Sequence, residues 1–469
     1  MRHVDLCVIG SGPSGQKAAI QAAKLGKRVC VVERQPVVGG VALHTGTIPS
    51  KALREVILHV GGYAPVAPRV QDFQAAGREA TLRTLSCAYE AVIRNEIDIV
   101  RGDLERNDIA VITGSARFRD PHTVEAVGPE SSEVISADYI VIGVGSKPAR
   151  PPDIAFDDQT IITTDELFGL AYHPRSMIVI GGGVIGTEYA SMLAALNIRM
   201  TLIEGRDRLL DFIDAEISEA LQYHLRHVGL TLRLGERVAA IKPVPAPAGT
   251  HSVTGTLAEV TLESGKTLHA DCLMYCVGRQ GETTGLDLAA VGLQADARGR
   301  LTVNEHYQTA VPHVYAVGDV IGFPALASTS MEQGRVAACH MFGARCHALM
   351  ALLPYGIYSV PEISMVGKTE QQLTHEGIPY ETGVAQYREI ARGQLLGDEI
   401  GMLKLLIAPD SHAVLGVHAI GTGATELIHI GQAAIALGGT AEYFVDTAFN
   451  YPTLAECYRV AALNGLNKL

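Results

Sequence analysis

Two short glycine patterns govern what this 469-residue chain can fold into. GSGPSG at 10–15 follows the apolar run VDLCVIG, and GGGVIG at 181–186 follows MIVI. A short apolar run of this kind is the signature of a buried parallel strand. The first pattern opens a helical stretch over 14–25, closed by Gly26, which suits a position just past a helix end. RVCVVE at 28–33 then reads as a second buried strand ending in an acid. The second pattern repeats the order, with a helix to about 196 and the strand RMTLIE at 199–204. In each unit three glycines permit the tight turn and bring a pyrophosphate against a helix N-terminus: Gly10, Gly12 and Gly15, then Gly181, Gly183 and Gly186. The closing acids, Glu33 and Glu204, are placed to accept ribose hydroxyls. A lone G-x-G-x-x-G is weak evidence, but the surrounding strand, helix, strand and acid make it specific. Two such units, starting about 170 residues apart, predict two dinucleotides held by two domains.

Length suggests about three domains. A formal net charge of −12 argues against nucleic acid or an anionic membrane as partner. None of the eight cysteines forms C-x2-C, and they read as small buried hydrophobes in a reducing compartment. The N-terminus enters a strand at once, without the apolar core of a signal peptide, and no run reaches membrane-spanning length. The expected location is the cytoplasm. The histidines show no metal-ligand spacing, so no metal site is expected.

The stretch GGVALHTGTIPSKAL at 39–53 ends in a lysine on an expected helix. It resembles the flavin-facing segment of the FAD-dependent pyridine nucleotide–disulfide oxidoreductases, G-G-x-C-x4-C-I-P-S-K. Ala42 and Thr47 stand at the two cysteine positions, while Gly39, Gly40, Gly46 and Lys51 keep the frame. YIVIGVGSKPARPP at 139–152 is similar to the family's exit from its FAD domain, and VYAVGDV at 314–320 to its second FAD motif. FNYPTLAE near the C-terminus resembles the end of its dimerisation domain.

The resemblance implies two Rossmann-like α/β domains and a C-terminal α+β domain. Residues 1–150 and 278–345 would bind FAD, 151–277 would bind NAD(P), and 350–469 would form a homodimer core, alone or within a larger homo-oligomer. On the flavin side it implies contacts from Arg34, Val41, Ala42 and Ala116. It adds Gly145 and Ser146, then Gly278 and Arg279, and finally Gly318 with Asp319, whose carboxylate would hold the ribityl chain. Thr47 would place a hydroxyl over the flavin. Lys51 and Glu188 would form an ion pair beside flavin N5, where a cation favours the reduced, anionic ring. Tyr451 stands where disulfide reductases carry an acid–base histidine, while Glu456 keeps the family's glutamate.

Within LIEGRDRLLD at 202–211, Glu204 suits NAD, whereas Arg206 and Arg208 lie where a 2′-phosphate would be met. An arginine–phosphate hydrogen bond contributes about 1.5–3 kcal/mol, enough to offset much of one unfavourable acid contact. The site should accept both NAD(H) and NADP(H).

A flavin, one mixed nicotinamide site and no dithiol point to ping-pong hydride exchange, NADPH + NAD⁺ ⇌ NADP⁺ + NADH. This is the reaction of the soluble pyridine nucleotide transhydrogenases, the branch that shares GTIPSKAL and NYPT. Two alternatives stand beside it: an NAD(P)H oxidase or quinone reductase of the same frame, and a non-catalytic flavoprotein sensor.

Overall fold

The structure is a computed structural model that describes residues 2–60, 90–247, 252–346 and 352–469. The chain divides into two compact units. The first comprises 1–56, 80–149 and 278–350, and the second 57–79, 150–277 and 351–469.

Among the described residues, the first unit is built on a seven-stranded sheet. Its order is Ala110–Thr113, Val29–Glu33, Arg2–Ile9, Ser132–Ile142, Thr123–Val127 and Ser115–Asp120, with Val314–Ala316 paired on Ser132–Ile142. The strand Arg2–Ile9 runs parallel to both neighbours, with Cys7 opposite Cys30 on one side and Ile140 on the other. Every residue of Val29–Glu33 is buried, as expected of a strand covered on both faces. The helix Pro13–Lys24 begins on a proline, where a missing N–H leaves no bond unmade, and Gly26 follows it at φ +76°. It packs closely on the helix Ala327–Met341, for a Cβ on Gly334 would lie 2.0 Å from the Ser14 carbonyl oxygen. The long helix expected over 75–106 is seen as Glu90–Arg106, and 75–89 lie outside the described residues.

The second unit carries a parallel sheet of Thr231–Leu234, Arg199–Glu204, Ser176–Ile180, Cys272–Tyr275 and Ile161–Ile162. A separate antiparallel sheet joins Tyr355–Ile357, Ile363–Gly367, Val414–Ile420, Met402–Ile407 and Glu381–Gln386. The helices Ala424–Ala436 and Glu456–Leu466 cover it. Glu456–Leu466 approaches so near that a Cβ on Gly383 would stand 2.0 Å from the Ala461 carbonyl.

A buried charge cluster ties these two sheets. Lys404, on a strand of the antiparallel sheet, is fully buried and donates to Asp214 at 2.9 Å, to Glu216 at 2.8 Å and to Glu370. Asp214 caps the helix Ala215–His227, accepting the Glu216 N–H at 3.2 Å. Burial alone would raise the Asp214 pKa, but His418 and the Lys404 ammonium hold it below the ordinary carboxylate range. Burial likewise pulls Lys404 down, and Glu216, Glu370 and Asp214 more than reverse this.

Candidate functional site

At the carboxyl edge of the first sheet the chain turns into its helix through Gly10, at φ +102°, where a Cβ would strike the Gly143 carbonyl oxygen at 2.4 Å. A Cβ on Gly15 would lie 2.0 Å from the Gly10 oxygen, so strand and helix meet as closely as backbones allow. Gly12 is different, because nothing lies within 4 Å of an added Cβ. That open space before the helix N-terminus fits a pyrophosphate. The Gly40 backbone closes its other side, with a Cβ there only 2.8 Å from Gly12 Cα. Glu33 is buried and accepts the Ser11 N–H at 2.9 Å, the Ser11 hydroxyl at 2.6 Å and the Gln35 N–H at 2.8 Å. The Ser11 oxygen accepts from Gly39 N–H at 3.0 Å, so Ser11 joins both glycine turns to the acid. The fingerprint hides this role, since Ser11 occupies one of its variable positions.

The flavin-facing stretch forms two helices, Gly40–His44 carrying Val41 and Ala42, and Thr47–Val60 carrying Lys51. Gly46 N–H donates to the Val41 carbonyl at 2.7 Å and holds the turn between them. The Ser50 hydroxyl donates to the Thr47 carbonyl at 3.2 Å, and Lys51 Nζ donates to that hydroxyl at 3.3 Å. His44 stands with Nε2 3.2 Å from the Val38 carbonyl, a structural bond within its own turn.

Six of the expected flavin residues converge at a second place in this unit. The strand Ser146–Pro148 pairs antiparallel with Arg279–Gly281, flanked by Gly145 at φ +70° and Gly278 at φ +84°. Asp319 accepts the Ser146 hydroxyl at 2.8 Å, and Arg279 donates through Nε to that hydroxyl at 2.8 Å and through Nη2 to the Ser146 carbonyl at 2.7 Å. The Arg279 guanidinium lies 3.9 Å from the Asp319 carboxylate. Gly318 N–H donates to Gln333 Oε1 at 2.7 Å, a partner not singled out by the sequence. Arg34 reaches the edge of this group, 3.5 Å from Glu282, whose N–H donates to the Gly145 carbonyl at 3.1 Å, and Ala116 is buried opposite Ala126 in the sheet.

The second unit repeats the first fingerprint almost atom for atom. Gly181 stands at φ +104°, a Cβ on Gly186 would lie 1.9 Å from the Gly181 oxygen, and Gly183 again faces open space. Glu204 accepts the Gly182 N–H at 2.6 Å, as Glu33 accepts that of Ser11. Here the acid carries an arginine. Arg206 donates through Nε to Oε1 of Glu204 at 3.0 Å and through Nη2 to Oε2 at 2.9 Å, and Nη1 reaches Asp211. Burial pushes the Glu204 pKa up, yet the Arg206 side chain and the N–H groups of Arg206 and Gly182 hold it below the ordinary range. Arg208 donates to the Asp211 carbonyl at 3.0 Å, and its Nε is buried without a hydrogen-bond partner among the described residues. Asp211 ends the stretch LIEGRDRLLD, but only the loop's geometry brings it onto both arginines.

Glu188 is buried on the helix Val184–Ala194 and accepts the Tyr358 N–H at 2.8 Å. Ser191, one turn on, donates to the Glu188 carbonyl at 2.8 Å and accepts from Val360 N–H at 3.0 Å. Tyr451 is exposed, and Glu456 begins the last helix with Oε2 buried and unpartnered among the described residues.

The family model for pyridine nucleotide-disulphide oxidoreductases matches residues 4–334, and that for the same family's dimerisation domain matches 353–462. The chain is 50% identical to a soluble pyridine nucleotide transhydrogenase of Mycobacterium bovis, across 100% of this chain and 98% of that one. It is 44% identical to proteins of the same description from Colwellia psychrerythraea, over 99% of this chain and 98% of the relative, and Vibrio cholerae, over 100% and 99%. Among solved structures, LpdA of Mycobacterium tuberculosis superposes with a TM-score of 0.86 at 24% identity, covering 99% of each chain. The HOCl-induced flavoprotein disulfide reductase RclA of Escherichia coli gives 0.85 at 23% identity, again over 99% of each chain. These two likenesses are of fold.

Proposed function

The chain belongs to the pyridine nucleotide–disulphide oxidoreductases, on the branch of the soluble pyridine nucleotide transhydrogenases, and we propose that it exchanges hydride between NADPH and NAD⁺ at one nicotinamide site beside FAD. The observation that carries this reading is the contact of Glu204 with Arg206. One adenosine-ribose site offers an acid for the hydroxyls of NAD and a cation for the 2′-phosphate of NADP.

FAD, when bound, supplies the two-electron chemistry, and the remaining work is positioning and electrostatics by the chain. The open space at Gly12 and the buried Glu33 fit the diphosphate and ribose. Asp319, oriented by Ser146 and Arg279, suits the ribityl hydroxyls. Gly183 and Gly186 offer the nicotinamide coenzyme the same turn. Lys51 would meet the negative charge that reduction brings, and Thr47 would set a hydroxyl by the ring. Ala42 and Thr47 leave the flavin no dithiol to reduce, so Tyr451 has no thiol proton to manage and Glu456 no imidazole to orient. The second oxidised coenzyme is then the acceptor. The dimerisation domain supports a homodimer, and no described helix is long and apolar enough to cross a membrane.

The test is to mix the yellow holoprotein with NADPH and thio-NAD⁺ without oxygen and follow thio-NADH. Turnover is expected. Bleaching of the flavin with no thio-NADH would overturn the reading and assign the electrons to another acceptor.

A further inference from the structure

We propose that Asp211 selects between the two coenzymes: it holds Arg206 back from the 2′-phosphate of NADP and so sets how strongly the site prefers NAD. This rests on the roles given above to Glu204 and Arg206.

Each of the three guanidinium nitrogens of Arg206 meets a carboxylate. Two of its nitrogens sit on the two oxygens of Glu204, at 3.0 and 2.9 Å, and a third sits on the Asp211 carboxylate. Asp211 also takes Arg208, through its backbone carbonyl at 3.0 Å. One residue therefore restrains both arginines that the sequence offers to a phosphate. Asp211 cannot follow Arg206 outward, because the loop beneath it is fixed. Leu209 and Leu210 are fully buried, and Leu210 stands at φ +50°, its N–H donating to the Gly182 carbonyl at 3.1 Å. Gly182 is the same residue whose N–H holds Glu204. Loop, acid and arginine thus share one rigid frame.

The charges decide the consequence. Glu204 and Asp211 set two negative charges on Arg206, and with Arg208 counted the four side chains balance, so the loop holds no positive charge in excess for a phosphate. A phosphomonoester brings about −1.5 to −2 more and must draw Arg206 away from two carboxylates. NAD carries a hydroxyl there, needs only acceptor oxygens, and leaves Arg206 in place. Asp211→Asn would keep the side chain's shape and the carbonyl that Arg208 uses, while removing one negative charge and leaving Arg206 a neutral amide oxygen in place of a carboxylate.

The experiment titrates oxidised, FAD-loaded protein with NADP⁺ and with NAD⁺ and reads each dissociation constant from the flavin spectrum. In Asp211→Asn the ratio of NADP⁺ to NAD⁺ affinity should rise about two- to fivefold, the size of a half-exposed ion pair. The gain should vanish when Arg206→Ala is added. An unchanged or lowered ratio would overturn the proposal, as would a gain that survives without Arg206. The readout is binding and does not need turnover. Absence of NADPH-to-thio-NAD⁺ exchange with the gain intact would remove the transhydrogenase reading and leave Asp211 in this role.

Discussion

Replacing two thiols by Ala42 and Thr47 takes away an electron acceptor and leaves its surroundings in order. The turn at Gly46 still closes on Val41, and Ser50 still bonds back to Thr47. Lys51 follows on the same helix, where its ammonium meets the Ser50 hydroxyl. A single cation presented to developing negative charge in a water-poor site acts on the rate far more than on binding. Lys51→Met should therefore retain FAD, because the turn at Gly12 and the acid Glu33 proposed for its diphosphate and ribose are left unchanged, yet reduction by NADPH should slow about 10- to 100-fold. Stopped-flow bleaching of the flavin measures this. Full FAD content with unchanged reduction would remove Lys51 from the chemistry.

Among the elements, those read from local rules and those that needed the fold separate cleanly. Both fingerprints were legible because each glycine answers a short-range demand: Gly15 must clear the Gly10 carbonyl, and Gly186 must clear that of Gly181. The meeting of Ser146, Arg279 and Asp319 was legible only through resemblance, since Ser146 lies 173 residues from Asp319. The Lys404 cluster was not legible at all. A lysine inside the apolar strand MLKLLI gives no sign of carboxylates 190 residues away at Asp214 and in the helix Glu370–Glu376. That cluster has its own consequence at the element scale. Lys404→Met would leave the buried Asp214 charge without its ammonium and should cost roughly 3–5 kcal/mol at neutral pH. The pH dependence follows from the sign of each shift. In the native protein the depressed pKa of Asp214 gives stability present above its unfolded value and lost as pH falls through the folded one. In the variant the ammonium is gone while His418 and the Glu216 and Glu370 N–H groups still act, so the Asp214 pKa is depressed less, and less stability is lost in acid. The difference in melting temperature should hold from pH 7 to about pH 5 and narrow as pH falls below the ordinary carboxylate value of about 3.9, and a pH-independent difference would contradict the pairing.

At the scale of the whole molecule, one chain carries the same βαβ device twice, once in each compact unit. The two copies differ where their acids end. Glu33 is braced by Ser11 and the Gln35 N–H, whereas Glu204 is braced by Gly182 and clasped by Arg206. On the proposed reading, that difference turns a repeated fold into two unlike sites, one for a resident cofactor and one for coenzymes that come and go. It also implies that NADPH and NAD⁺ cannot be bound together at the second site, so the first product must leave before the second substrate enters. Initial rates of thio-NADH formation, measured at several fixed NADPH concentrations, test this most directly. Parallel double-reciprocal lines are expected. Lines that intersect would mean that both coenzymes bind at once, and would contradict exchange through a single site.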